Sequence, residues 1–403
     1  MKTILTLLAI LCAGVALSAP ADSGPSPSAL AALVTSQVAV TMTAVPPAVE
    51  QDLSRIFANV DQGVALKPDE LDDIVNLASQ ACTVPNAFRM ADRWNASGAG
   101  NAVHISKGFQ EFLPMLFGTN IPMYTLYADM LRYAAPLDQA RYHDAYLRCV
   151  AAPAPAGTIR SAAFLRYEET TPNPDAGSAY TYTSACTFIR TTIAGRDALI
   201  FTARVLATSS IGLRGVNVGN PLYNLFYYSN KTGTNLRGLS WADSQIYVTR
   251  LISVFVDLGD GHTALLSCTW VRAGWNDFNV VAADSIYQSL SSSLRRMQLI
   301  REYPRVTSAK LAACAESVRK MPPADVEKMF NVYCNYVRAC QAQQSTSWAP
   351  WVRTPLLTQL YDPATLALTT EYQKRALILQ EYVRIIAGHA TWLSEEYDKA
   401  THK

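Results

Sequence analysis

Residues 246–272 constrain the fold of this chain more than any other stretch. Ile246, Val248, Ile252, Val254, Val256 and Leu258 fall at every second position, broken only by Arg250; Ala264, Leu266, Cys268 and Trp270 do the same beyond Gly259-Asp260-Gly261. A period of two is what a strand with one buried face requires. Two such runs joined by a short glycine-bearing loop make a hairpin. With residues 259–261 as the loop and Gly261 left-handed, Leu258 faces His262 and the two apolar rows share a face. That register sets Arg250 opposite Trp270, where the guanidinium either lies over the indole or snorkels out at an edge.

The chain has 403 residues, enough for two or three domains. Half the residues are hydrophobic and 16% are charged, the balance of a compact protein rather than a disordered one. Net charge is +2 and no basic run exceeds Arg295-Arg296, so no nucleic-acid partner is expected. Residues 1–19 read as a secretory signal: Lys2, an apolar core over 4–17, then small residues up to Ala19. The expected location is therefore periplasmic or extracellular. Leu11 precedes Cys12 where a lipoprotein signal needs a small residue, so no lipid anchor is expected. No later run reaches the roughly 18 uncharged apolar residues of a spanning helix, so no transmembrane segment is expected.

Export gives the cysteines a meaning. Of the eight, Cys12 lies in the signal, leaving Cys82, Cys149, Cys186, Cys268, Cys314, Cys334 and Cys340. Their grouping by region predicts the bridges Cys82–Cys149 and Cys186–Cys268, and Cys314 with Cys334 or Cys340. The seventh is either a buried thiol or an intermolecular link. Ligand spacing for zinc is absent: there is no C-x2-C pair and no histidine beside a cysteine.

The fold class read from these patterns is α+β: an N-terminal helical domain, a central antiparallel meander sheet covered by a long helix, and a C-terminal helical region. Residues 20–45 form a leader and an apolar segment ambiguous between helix and strand. Residues 46–150 read as the helical domain, with Pro47 in a first turn, a stripe of Leu53, Ile56, Phe57 and Val60, and further helices over 107–117, 121–134 and 137–149. A Pro/Ala connector at 151–157 marks a boundary. Residues 158–303 carry strands at 159–167, 180–189, 198–207 and 222–228, then the hairpin, then a helix from Asp284 whose Ile286, Leu290, Leu294 and Met297 would cover the sheet. Residues 306–403 read as a helix pair broken at Pro322-Pro323, then a long final helix whose Leu379, Val383 and Ile386 pack on its own chain or on a partner.

In element order, a sheet closed by one long helix resembles START-like and related helix-grip proteins. The resemblance implies a chamber for an apolar ligand.

Catalytic patterns are absent. There is no G-x-S-x-G, no Walker motif and no dinucleotide glycine pattern. Glu168 and Glu169 are adjacent on a strand and point to opposite faces, so they cannot flank one bond. His262 beside Asp260 at the hairpin tip is explained by turn chemistry. No catalytic residue, metal site or cofactor is expected. Aromatic density tilts the reading toward binding, with Tyr223, Tyr227, Trp241, Arg250 and Trp270 as the candidate ligand contacts. The functional expectation is an exported, non-enzymatic binding protein for an apolar or amphipathic small molecule. Two alternatives stay open: a structural or partner-binding surface protein working through its C-terminal helices, and a secreted hydrolase with an unrecognised site.

Overall fold

A computed structural model of the chain describes residues 41–80, 87–127, 131–170, 177–218, 225–236, 240–259, 261–302, 306–344 and 370–388. Residues 1–19, expected to be a secretory signal, Cys82 and Tyr223 lie outside the described residues.

The fold is α+β, one large sheet with helices on both faces. A short strand β1 (Thr43–Ala44) leads into α1 (Pro47–Gln62) and α2 (Asp72–Gln80), followed by β2 (Ala87–Arg93) and β3 (Ala96–Ile105). Next come α3 (Phe109–Phe117), β4 (Leu131–Pro136) and α4 (Gln139–Cys149). The strands β5 (Ile159–Thr170), β6 (Gly177–Ile193) and β7 (Arg196–Val205) form a meander. Beyond it lie β8 (Leu213–Val218), β9 (Leu225–Thr232), β10 (Thr234–Leu236), β11 (Ser240–Ala242), β12 (Gln245–Gly259) and β13 (His262–Gly274). Among the described residues, four helices follow: α5 (Ala283–Glu302), α6 (Ser308–Lys320), α7 (Pro323–Gln344) and α8 (Glu371–Ile386).

Strand order is β1-β2-β3-β13-β12-β7-β6-β5-β4, and the β8–β9 ribbon hangs from the start of β6. Every pairing in this sheet is antiparallel except β1 with β2, so the sheet is mixed. The β12–β13 hairpin has the register read from the sequence: Arg250 pairs with Trp270, Ile252 with Cys268, Val254 with Leu266 and Val256 with Ala264. The two ends differ: a shift between Ile246 and Val248 pairs Ile246 with Ala273 at the open end. A bulge passes over Leu258 and pairs Gly259 with His262, with both Gly259 and Gly261 left-handed at φ 72° and 77°.

Because the hairpin is central, alternation assigns its residues to two cores. Ile252, Val254, Val256, Ala264 and Leu266 share one face with Ile189 and Ile200, where α1 and α2 bring Leu53, Ile56, Leu71, Ile74 and Val75. Phe255 and Leu265 point the other way, with Phe188 and Phe201. There Phe117 of α3 meets the rings of Phe188, Phe201 and Phe255 at 5.3, 5.0 and 5.6 Å. A strand buried on both faces explains why residues 251–256 include few polar side chains.

The segment expected to be a separate helical domain is not one. Within 87–136 the helix α3 is flanked by three strands of the same sheet, and β3 pairs along β13 from Ile105–Thr263 to Ser97–Val271. Residues 121–134, expected to be helical, form a single 3-10 turn at Met123–Thr125 and then β4. The physical reason for β3 is local. Its sequence, Ala-Ser-Gly-Ala-Gly-Asn-Ala-Val-His-Ile, is built of small residues because Gly98 lies against the indole of Trp270. A Cβ at Gly98 would sit 2.5 Å from Trp270 Nε1 and 2.8 Å from Met90 Cβ, so glycine is the residue that lets the two strands hold that ring.

The expected disulfides are corrected as well. Cys149, Cys186, Cys268, Cys314 and Cys334 are buried, and no disulfide occurs among the described residues. The reason for Cys186 and Cys268 is visible in the register: Cys186 lines up with Ala203, Leu251 and Thr269, three strands and about 14 Å away. Cys268 is one residue off that row and therefore on the opposite face. Burial pushes the Cys149 thiol up to about 11 and Cys186 up to about 12. In the folded protein at pH 8 these thiols should resist alkylation for hours, since the thiolate is the reactive form. In denaturant without reductant, intact mass should show at least five alkylated cysteines; fewer than five would restore a bridge.

The final helix is tied to its own chain. Thr370 and Gln373 form a capping box, and Ala376, Leu379 and Val383 are buried against α6, α7 and the turn before β4. Arg375 donates to the carbonyls of Val318 and Met321 at 2.5 and 2.8 Å, and Gln380 Nε2 donates to Leu131 O at 2.9 Å. Within the described part of this helix, Ala376, Leu379 and Val383 thus pack on their own chain, while Ile386 is half-buried.

Candidate ligand-binding recess

Arg250 and Trp270 lie on the α1 side of the sheet. Trp270 has no exposed surface; its Nε1 donates to Ala91 O at 2.9 Å, and the rings of Phe57 and Trp94 meet it edge-on at 5.3 and 6.2 Å. Arg250 does not cover Trp270. Its guanidinium lies 4.1 Å from the centroid of Trp94 and bonds Asp61 at 2.5 Å. Trp94 and Asn95 form the β2–β3 turn with φ of 54° and 55°, which folds the indole back over the sheet. This cluster is filled by its own members. Tyr227 lies on β9 opposite Val216, and Trp241 on β11 opposite Asn235, strands that pair with neither β12 nor β13. Of the candidate residues, Arg250 and Trp270 therefore share one face and one cluster, Tyr227 and Trp241 lie on strands outside that hairpin, and Tyr223 lies outside the described residues.

The opposite face is lined differently. Register aligns Cys186, Ala203, Leu251, Thr269 and Ala99 in one row across five strands, and Phe188, Phe201, Ser253, Ser267 and Asn101 in the next. From that second row toward α3 the side chains are sealed. Toward the start of β12 the pattern changes: Ala203, Val205, Thr249, Leu251, Thr269 and Val271 are each partly exposed, although β7, β12 and β13 are central strands. Central positions under a tight helical layer are buried, so the described elements cover these six side chains incompletely, and this stretch is the candidate recess.

Its walls can be named. On one side α5 runs along β3, with Ile286 against Ala99, Leu290 half-buried beside the core, and Asn101 Nδ2 donating to Ser291 Oγ at 2.8 Å. Small residues on β3 allow this approach. On the other side stand Tyr167 and Tyr182 of β5 and β6, ring centroids 5.6 Å apart. At the bulge between Ile246 and Val248, the Tyr247 hydroxyl donates to Gly274 O at 3.3 Å and accepts from Asp277 N at 3.0 Å, and its ring lies 5.2 Å from the Arg272 guanidinium. Next to it, Phe278 is 70% exposed. The inner end is polar: Ser253 and Ser267 share a hydroxyl–hydroxyl bond of 3.0 Å directly beside Asn101.

A second opening, a groove of about 630 Å³ at the far end of the sheet, is lined by Gln110, Thr192, Asp197, Asp257 and the 151–154 connector. Its chemistry is already used. Asp197 takes two bonds from the buried Arg190, at 2.5 and 2.6 Å, and a third from Gln110 at 3.4 Å. Glu168 and Glu169 pair with Thr181 and Tyr180 on β6 and, as consecutive residues of β5, belong to opposite faces.

The recess residues were within reach of the sequence. The register that pairs Arg250 with Trp270 also pairs Ser253 with Ser267 on the other face, and two serines opposed inside an apolar hairpin are the mark of a polar floor.

No family model matches the sequence, and no curated protein does. Among solved structures, the lipid transfer and protein localization domain of human StarD13 (DLC2) is similar at 8% identity with a TM-score of 0.25, over 56% of this chain and 94% of that one. A likeness at that score bears on neither fold nor function.

Proposed function

We propose that this chain is a non-enzymatic binding protein that holds an apolar or amphipathic small molecule in the recess between α5 and the central strands. The observation that carries this reading is the partial exposure of Ala203, Val205, Leu251 and Val271 in the middle of the sheet. Apolar area left open inside a fold forgoes about 25 cal/mol per Å², which a ligand filling the space recovers. An apolar concavity with a few polar groups at one end is the usual form of a small-molecule site. The leader at residues 1–19 supports export, so the ligand would be met outside the cytoplasm. Organic extraction of the purified protein followed by mass spectrometry tests the reading. One apolar or amphipathic species near one equivalent is expected; an extract free of any such species, together with no binding of added apolar probes, would overturn it.

A further inference from the structure

The inner end of the recess has hydrogen-bonding capacity that its own residues do not use. Asn101 is 95% buried, and while its Nδ2 donates to Ser291, its Oδ1 has no partner among the described residues. Leaving a buried amide atom unmet costs about 1–3 kcal/mol. Rotating the amide by half a turn does not remove the deficit. Oδ1 would then accept from Ser291 and Nδ2 would be left over instead.

Beside it, the Ser253–Ser267 pair has a matching surplus. Whichever serine donates to the other, one hydroxyl proton remains for a further acceptor. Asn101, Ser267 and Ser253 are consecutive cross-strand neighbours on one face, so the surplus donor and the unmet amide lie along one line. The buried cation on this face, Arg190, is one row beyond and already bonded twice by Asp197. The six partly exposed residues of the recess carry no charge.

Resting on the binding reading above, we infer that the recess takes an apolar ligand ending in a neutral hydroxyl, seated between the serine pair and Asn101. A hydroxyl fits because it accepts and donates at once, and so satisfies the amide in either orientation. A carboxylate or phosphate fits less well, because among the described side chains that line the recess none is a cation to meet a desolvated anion.

The test is competition against a bound neutral apolar fluorophore, N-phenyl-1-naphthylamine, by decan-1-ol, decane and decanoate. In a plain apolar site decane wins, since the alcohol gives up water for nothing. The inference expects decan-1-ol to compete at least as well as decane, and decanoate worst. Asn101→Leu should lower the ratio of decan-1-ol to decane affinity about fivefold to tenfold while leaving decane itself nearly unchanged. Ser267→Ala should lower the same ratio and carries the readout if Asn101→Leu does not fold. An unchanged ratio in both variants means the amide is met by water alone and overturns the inference, as does decanoate binding most tightly. Failure of all three compounds, decane included, removes the binding reading itself.

Discussion

Asp197→Ala should destabilise the protein by about 3–5 kcal/mol, the loss expected when one partner of a buried ion pair is removed and the other charge stays behind. Arg190 has no exposed surface. Besides its two bonds to Asp197, its Nη1 donates to Cys149 O at 3.1 Å and its guanidinium lies 4.5 Å from the centroid of Phe109. These contacts tie β6, β7, α3 and α4 together at one corner. Without Asp197, no described carboxylate bonds the guanidinium, which is left with the Cys149 carbonyl and the Phe109 ring. Arg190→Met combined with Asp197→Ala should cost less than Asp197→Ala alone, because the stranded charge goes as well. Urea unfolding at neutral pH measures both; a loss under 1 kcal/mol for Asp197→Ala would show that the pair contributes little.

Trp270→Ala should cost a similar amount, about 3–5 kcal/mol, through lost burial and the cavity left behind. The indole is sealed by Phe57, Trp94, Met90 and the bare backbone of Gly98, and it fixes β13 to the β2–β3 turn through Ala91. Trp94 loses a ring neighbour, so tryptophan fluorescence should move to longer wavelength in the folded variant. Trp270→Phe should cost clearly less, since most of the volume stays. A melting curve of Trp270→Ala coinciding with that of the parent would contradict this packing.

How much of this was legible in the sequence follows from contrast in side-chain size and polarity. The β12–β13 register was readable because Ile, Val and Leu alternate sharply and two glycines frame the turn. The β2–β3 strands were not, since Ala, Gly and Ser give no periodic contrast, and their meaning lies in the Trp270 ring they admit, far away in the chain. Residues 121–134 mimic a helix because a mainly apolar run carries no clear period that separates helix from strand. The cysteine pairing failed because grouping by region ignores the strand β7 inserted between β6 and β12, and ignores face. The proposed recess was not singled out for a related reason. Arg250 and Trp270 were chosen for being opposite one another, but their row turns toward α1. The rows on the other face are less conspicuous, one written in Ala203, Leu251 and Thr269 and the next in Ser253, Ser267 and Asn101.

The most direct measurement is titration of N-phenyl-1-naphthylamine into the parent protein and into Leu251→Trp, whose added ring would fill the recess from its floor. The account predicts saturable binding at one site in the parent and its loss, by at least about tenfold in affinity, in a variant that melts at or near the parent temperature. Equal affinity in the two proteins, with Leu251→Trp folded, would contradict it.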